Sequence, residues 1–136
     1  METQLTFELS KEFAEQLQVA VNQRDDLWIK NSLDGVNPAD ITETLEEFSS
    51  EDSRYVLSLL DVEIGSEIIS DLDDDTQKRF LKIYSSQEIA QFIEVMDSDD
   101  AVDILNEQSV EVREEIIAAL SNQEKIDHIL DLMRYD

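Results

Sequence analysis

The sequence predicts an all-α fold, a right-handed superhelix (an α-solenoid) of short antiparallel helices with a unit of about twelve residues. Three observations support this prediction. The stretch Asn37–Leu132 divides into eight consecutive twelve-residue units without insertion or deletion. The first residue of every unit is Asn, Asp or Ser, whose side chains cap helix N-termini. The ninth residue of every unit is apolar. Such a fixed period is typical of stacked helical repeats.

Each unit is predicted to be a turn followed by about eight or nine helical residues. Apolar residues recur at positions 8, 9 and 12, which share one helix face. The predicted caps at position 1 are Asn37, Ser49, Asp61, Asp73, Ser85, Asp97, Ser109 and Ser121. Position 9 holds Leu45, Leu57, Ile69, Leu81, Ile93, Leu105, Ile117 and Ile129. Helices this short do not persist alone in water, so they must bury their apolar face against their neighbours. Two units make a 24-residue repeat.

Two further helices are predicted before the repeat. The first is capped by Ser10 and ends near Asn22. The second covers residues 24–34 and stops at Gly35, the residue type that most readily takes the left-handed conformation after a helix. These two helices are expected to cap one end of the stack.

The charge balance excludes several classes of partner. The chain has 34 acidic residues against 10 Lys plus Arg, for a net charge of −24. A surface of this charge repels nucleic acid phosphates and anionic lipid, so we expect neither as a partner. The pattern of apolar residues, 41% of the chain, argues against disorder.

No sequence feature indicates export or membrane insertion. The longest apolar run is Ile116–Leu120, far shorter than the roughly 20 residues of a membrane span. No signal peptide is evident, and the chain has no cysteine for a disulfide or thiolate site. We therefore expect a soluble domain in the cytoplasm.

Three segments resemble the N-terminal domain of MgtE-type magnesium transporters. The segment 37–48 is similar to the start of that domain, and 96–105 is similar to its Leu-x-x-Asp-Asp-x-x-Asp-x-Leu stretch. The segment 133–136 is similar to the residues just before the first CBS domain of the family. With the twelve-residue rhythm, the resemblance extends from about Leu9 to Asp136.

The resemblance implies a function and an organisation. Transporters of this family have a cytosolic superhelical N domain, a pair of CBS domains and a dimeric membrane pore. When intracellular Mg²⁺ is high, ions bind between the N domain and the CBS domains, and the pore closes. The chain would then be one domain, with capping helices at 9–35, the repeat at 37–132, and 133–136 beginning a linker to a CBS domain that the sequence does not include. It would lie on the cytoplasmic side of the cell membrane without inserting into it. Its partners would be the CBS domains of the same homodimeric transporter.

The resemblance also implies a set of metal ligands. Asp99, Asp103 and Glu67 fall on the acidic positions that contact metal in the family. Independently of the resemblance, Asp99 and Asp103 are i, i+4 neighbours, so their carboxylates can face a shared cation. Mg²⁺ prefers oxygen ligands and keeps several waters, so one or two carboxylates are a reasonable contribution. Because another domain would complete the site, Mg²⁺ binding to the isolated domain is expected to be weak or absent.

Two other functions are open from the sequence. The chain could be an acidic α-solenoid that binds a basic partner without metal. An enzyme is disfavoured because no nucleophile and base pair can be assigned. The only histidine, His128, occupies position 8 and is expected to pack in the core rather than act in catalysis.

Overall fold

Ten helices and no strands form the secondary structure of residues 2–134, the part of the chain that the computed structural model describes. Side chains are described for residues 11–133, and Tyr135 and Asp136 at the end of the predicted linker lie outside the described residues. The helices are α1 (Glu2–Gln23), α2 (Asp26–Leu33), α3 (Pro38–Leu45), α4 (Ser50–Ser58), α5 (Val62–Asp71), α6 (Asp74–Leu81), α7 (Ser86–Val95), α8 (Ser98–Asn106), α9 (Val110–Ala119) and α10 (Gln123–Arg134). The all-α prediction is confirmed. Within residues 2–134, no helix combines the length and apolarity that a bilayer crossing requires.

The chain forms two compact units, Met1–Leu72 and Asp73–Asp136. In the first unit, α3 packs most extensively against α5, and α1 packs against α2, α3 and α4. In the second unit, α7 packs against α9 and α8 against α10. In the pairs α3 and α5, α7 and α9, and α8 and α10, the two helices are two units apart, as a 24-residue repeat of two units predicts, whereas α4 packs against α1 and α5. The handedness of the superhelix stays a prediction.

Seven of the eight predicted caps are confirmed as N-cap residues. The side chains of Asn37, Ser49, Asp73, Ser85 and Ser109 each accept a hydrogen bond from a backbone N–H of their helix, and those of Asp61 and Asp97 make no such bond. The prediction for Ser121 is wrong, because α10 begins one position later in its unit. Asn122 accepts the hydrogen bond from the Lys125 N–H at 3.1 Å. The amide and hydroxyl of Ser121 donate instead to the Glu94 carboxylate.

The predicted core columns are buried to different extents, and the core contains one column more. Position 8 is buried in five of the eight units and position 12 in three. Position 9 is buried in seven of the eight units, and Ile117 is half-buried. Position 5 is also buried in the first six units, where it holds Ile41, Ser53, Gly65, Gln77, Ile89 and Ala101. Positions 5, 8, 9 and 12 follow the spacing i, i+3, i+4, i+7 of an amphipathic helix. Position 5 is not recognisable as a core column in the sequence, because its residues share no chemical type.

Polar residues at position 5 bond to the end of an earlier helix. Ser53 Oγ donates to the carbonyl of Leu45 at 3.5 Å, and Arg113 Nε donates to the carbonyl of Leu105 at 3.1 Å. The separation is eight residues in both cases. Each carbonyl also accepts a backbone hydrogen bond, Leu45 from the Phe48 N–H and Leu105 from the Gln108 N–H. A carbonyl oxygen has two lone pairs, so the side chain adds a second bond to the end of the earlier helix. Position 5 thus accepts polar residues without loss of the fold.

The N-terminal helices differ from their predicted bounds. The structure contradicts the expected cap at Ser10, because α1 begins at Glu2 and Ser10 lies inside it. The segment before Ser10 contains no Gly or Pro to end a helix. At its other end α1 stops at Arg24, which has a left-handed φ of 55°. The guanidinium of Arg24 lies 4.3 Å from the ring centre of Tyr55 on α4. The second helix is shorter than predicted, because Asp25 caps it and α2 begins at Asp26.

The predicted stop at Gly35 is confirmed. Gly35 follows the C-cap residue Asp34 and has a φ of +77°. No atom lies within 4 Å of a Cβ added there, so a substitution meets strain only in the backbone. We expect Gly35→Ala to lower the free energy of unfolding by about 1 kcal/mol, because an L-residue resists the left-handed region. Asp34→Ala, at a φ of −61°, should change it much less in the same urea titration. Equal effects of the two variants would contradict this account.

Candidate metal-binding face

Helix α8 presents two carboxylates on the face opposite its core residues. Ala101, Ile104 and Leu105 are buried, whereas Asp99 and Asp103 are exposed. Asp99 lies in the first turn of α8, where a negative charge also interacts favourably with the helix dipole. Residues four apart on a helix have Cβ atoms about 5–6 Å apart, so both carboxylates can reach one hydrated cation. The structure therefore places both residues of the predicted pair on the exposed side of one helix.

Glu67 occupies the same register on another helix. It lies on α5 and is exposed, between Ser66 and Ile68, which are both buried. Counted from the start of each unit, Glu67 and Asp103 are both at position 7, and Asp99 is at position 3. Position 3 is exposed in all eight units and position 7 in seven of them. Within each helix, these positions lie on the solvent-facing side. Glu67 belongs to the unit Met1–Leu72, whereas the other two belong to Asp73–Asp136.

One neighbour of Glu67 is not identified by the sequence reasoning. Glu63 is at position 3 of the same unit, four residues before Glu67, and it is also exposed. Glu63 and Glu67 therefore have the same spacing, and the same positions in their unit, as Asp99 and Asp103. The twelve-residue register could have identified Glu63, because acidic residues occupy both positions 3 and 7 in the units of α5, α8 and α9.

The exposed carboxylates of Asp99 and Asp103 could supply some, but not all, of the ligands of a Mg²⁺ ion. Among the described side chains of residues 11–133, no three His, Cys, Asp or Glu side chains converge in a way that could hold a metal ion. Mg²⁺ nevertheless keeps several waters and needs only one or two carboxylates from a protein. The exposed pair Asp99 and Asp103 fits that requirement. A further group from outside the chain, or water, would supply the other ligands.

Helix α10 is attached to the turn that begins α8. The Lys125 ammonium donates to the carbonyl of Met96, one residue before the N-cap of α8. The Nδ1 atom of His128 lies 3.3 Å from the hydroxyl of Ser98, the first residue of α8. His128 is exposed, so the prediction that it packs in the core is wrong. The register places it at position 8, but the face of α10 at that point is solvated.

Glu94 of α7 binds the segment that precedes α10. The pKa of Glu94 lies below its ordinary value of 4.5, chiefly because the Ser121 N–H donates to the carboxylate. Burial opposes this effect, and the Ser121 hydroxyl, the Asn122 N–H and the Lys125 charge add to it. A lowered pKa means that the native state releases the proton more readily than the unfolded chain does. The charged carboxylate therefore stabilises the fold above the unfolded pKa, and this contribution is lost as the pH falls through the folded pKa.

We expect Glu94→Gln to lower the free energy of unfolding by about 1 kcal/mol at neutral pH. The difference from the native protein should shrink as the pH falls below about 4.5. Urea titrations at a series of pH values measure this difference in the free energy of unfolding. Glu114→Gln on α9 removes the same charge from an exposed position and serves as the control. A Glu94→Gln effect that is independent of pH would show that the carboxylate charge does not stabilise α10.

The acidic run 71–75 contributes to capping. The Asp73 carboxylate accepts hydrogen bonds from the Thr76 N–H at 2.8 Å and from the Thr76 hydroxyl at 3.0 Å. The backbone bond, followed by the hydroxyl bond, lowers the pKa of Asp73. Asp74 and Asp75 follow in the first turn of α6, where the helix dipole favours acidic residues.

Comparison with known families agrees with this architecture. The family model of the MgtE intracellular N domain matches residues 36–136. The chain belongs to the MgtE family. It is an N-terminal regulatory domain of a magnesium transporter. The match begins at Val36, so α1 and α2 lie outside it, although the resemblance in the sequence extends from about Leu9. The MgtE N domain is described as intracellular. No curated protein sequence matches the chain significantly.

Proposed function

We propose that this MgtE domain senses intracellular Mg²⁺ and closes against the CBS domains of its transporter when Mg²⁺ is high. The observation that carries the proposal is the exposed pair Asp99 and Asp103 on α8. These carboxylates lie outside the core, on a helix whose position is fixed by packing against α10. They are therefore available to an ion that a second domain also contacts.

The physical basis of the switch is charge neutralisation. The chain carries a net charge of −24, so a second acidic surface is repelled when no cation lies between them. Repulsion between exposed charges extends over a Debye length of about 8 Å at physiological ionic strength. Divalent ions between the faces replace that repulsion with attraction. The equilibrium between open and closed arrangements then depends on Mg²⁺ concentration, because only the closed arrangement supplies ligands from both sides.

In this proposal, Asp99 and Asp103 would hold one hydrated Mg²⁺, and Glu67 would contribute on α5. When bound, the ion supplies positive charge and coordination positions that the partner domain can fill. Because the chain provides few ligands per ion, binding to the isolated domain is weak or absent. Closure against the CBS domains then stabilises the shut pore of a homodimeric transporter. The domain itself takes no part in catalysis.

The proposal is tested on a protein in which this domain is followed by the CBS domains of its transporter. We expect millimolar Mg²⁺ to reduce the radius of gyration and raise the melting temperature, with NaCl at equal ionic strength as the control. The domain alone should respond far less. If scattering and melting of the longer protein are the same in Mg²⁺ and NaCl, the sensing proposal is wrong.

The acidic surface itself supports a second candidate, a module that binds a basic partner without metal. A net charge of −24 would attract such a partner strongly at low salt. Binding of this kind should weaken steeply with NaCl and persist in the presence of EDTA. If the domain senses Mg²⁺ instead, EDTA should abolish closure against the CBS domains, because the chelator removes the ion. The two candidates are therefore separated by one addition of EDTA.

A further inference from the structure

We draw no further inference here: the strongest candidate, the exposed pair Glu111 and Glu115 on α9, repeats the register of Asp99 and Asp103 but is an acidic cluster at which nothing else in the structure points to a ligand.

Discussion

Replacing Ile93 with alanine is expected to lower the free energy of unfolding by about 3 kcal/mol. Ile93 is fully buried, at position 9 of its unit, on α7 where that helix packs against α9. Removing three carbons from such a site forfeits their transfer free energy and leaves a cavity. The ten residues of α7 are too few to stay helical alone, so lost packing is not offset by local helix stability. Domains of this size are stabilised by only about 5–15 kcal/mol, so the loss is a large fraction.

The matched control is Val95→Ala on the same helix. Val95 is 41% exposed, so its truncation removes less buried area and opens no cavity. Both variants are compared with the native chain by urea unfolding followed by circular dichroism. The expected order is a large loss for Ile93→Ala and a change within about 0.5 kcal/mol for Val95→Ala. Similar losses would mean that position 9 is not the core column of the repeat.

The helix starts were predictable because their signal is local. An N-cap side chain bonds to backbone groups two or three residues away, so the residue type alone nearly decides the outcome. Seven of the eight predicted caps are N-cap residues, and five of the seven make this side-chain bond. Ser121 departs from it because Asn122, also a good cap, follows directly and because Glu94 engages the Ser121 amide. The carboxylate that decides this case is 27 residues away in the sequence, so no local pattern reveals it.

The fourth core column was not predictable from hydrophobicity. Position 5 contains Ile41 and Gln77 as well as Gly65, and all three are buried. Burial there depends on the geometry of the neighbouring helix rather than on the apolar character of the residue. Ser53 is a buried polar example, since its hydroxyl donates to the carbonyl of Leu45, and the half-buried Arg113 bonds in the same way to the carbonyls of Leu105 and Gln108. A polar side chain whose hydrogen bonds are satisfied can therefore be buried, although hydrophobic periodicity in the sequence does not identify it as a core residue.

The candidate site was predictable in part. The register alone places Glu67, Asp99 and Asp103 outside the core columns, and the structure confirms that all three are exposed. The neighbours of α8 were not predictable, because His128 and Lys125 reach it from α10, about 30 residues later. Nor does exposure by itself select these carboxylates from the other acidic residues of the surface. The same two positions on α9 are acidic and exposed too, and this makes a decisive comparison possible.

Asp99→Asn combined with Asp103→Asn is expected to raise the Mg²⁺ concentration at the midpoint of closure by about tenfold or more, in the protein that includes the CBS domains. Asparagine keeps the size of each side chain but removes the charge that holds the ion. Closure is followed by scattering as Mg²⁺ is titrated at constant ionic strength. Asp99 is in the first turn of α8, so its loss also weakens the helix by about 0.3–1 kcal/mol through the dipole. Melting without Mg²⁺ measures that separate effect.

The control is Glu111→Gln combined with Glu115→Gln. It removes the same two charges, from the same two positions of the next unit, and Glu111 is likewise in the first turn of its helix. If general charge density drives closure, both double variants shift the midpoint equally. If Asp99 and Asp103 hold an ion, only their replacement shifts it strongly, because a bound ion requires particular carboxylates whereas screening requires only charge. Equal shifts would therefore remove Asp99 and Asp103 as the metal ligands while leaving an electrostatic response to Mg²⁺ in place.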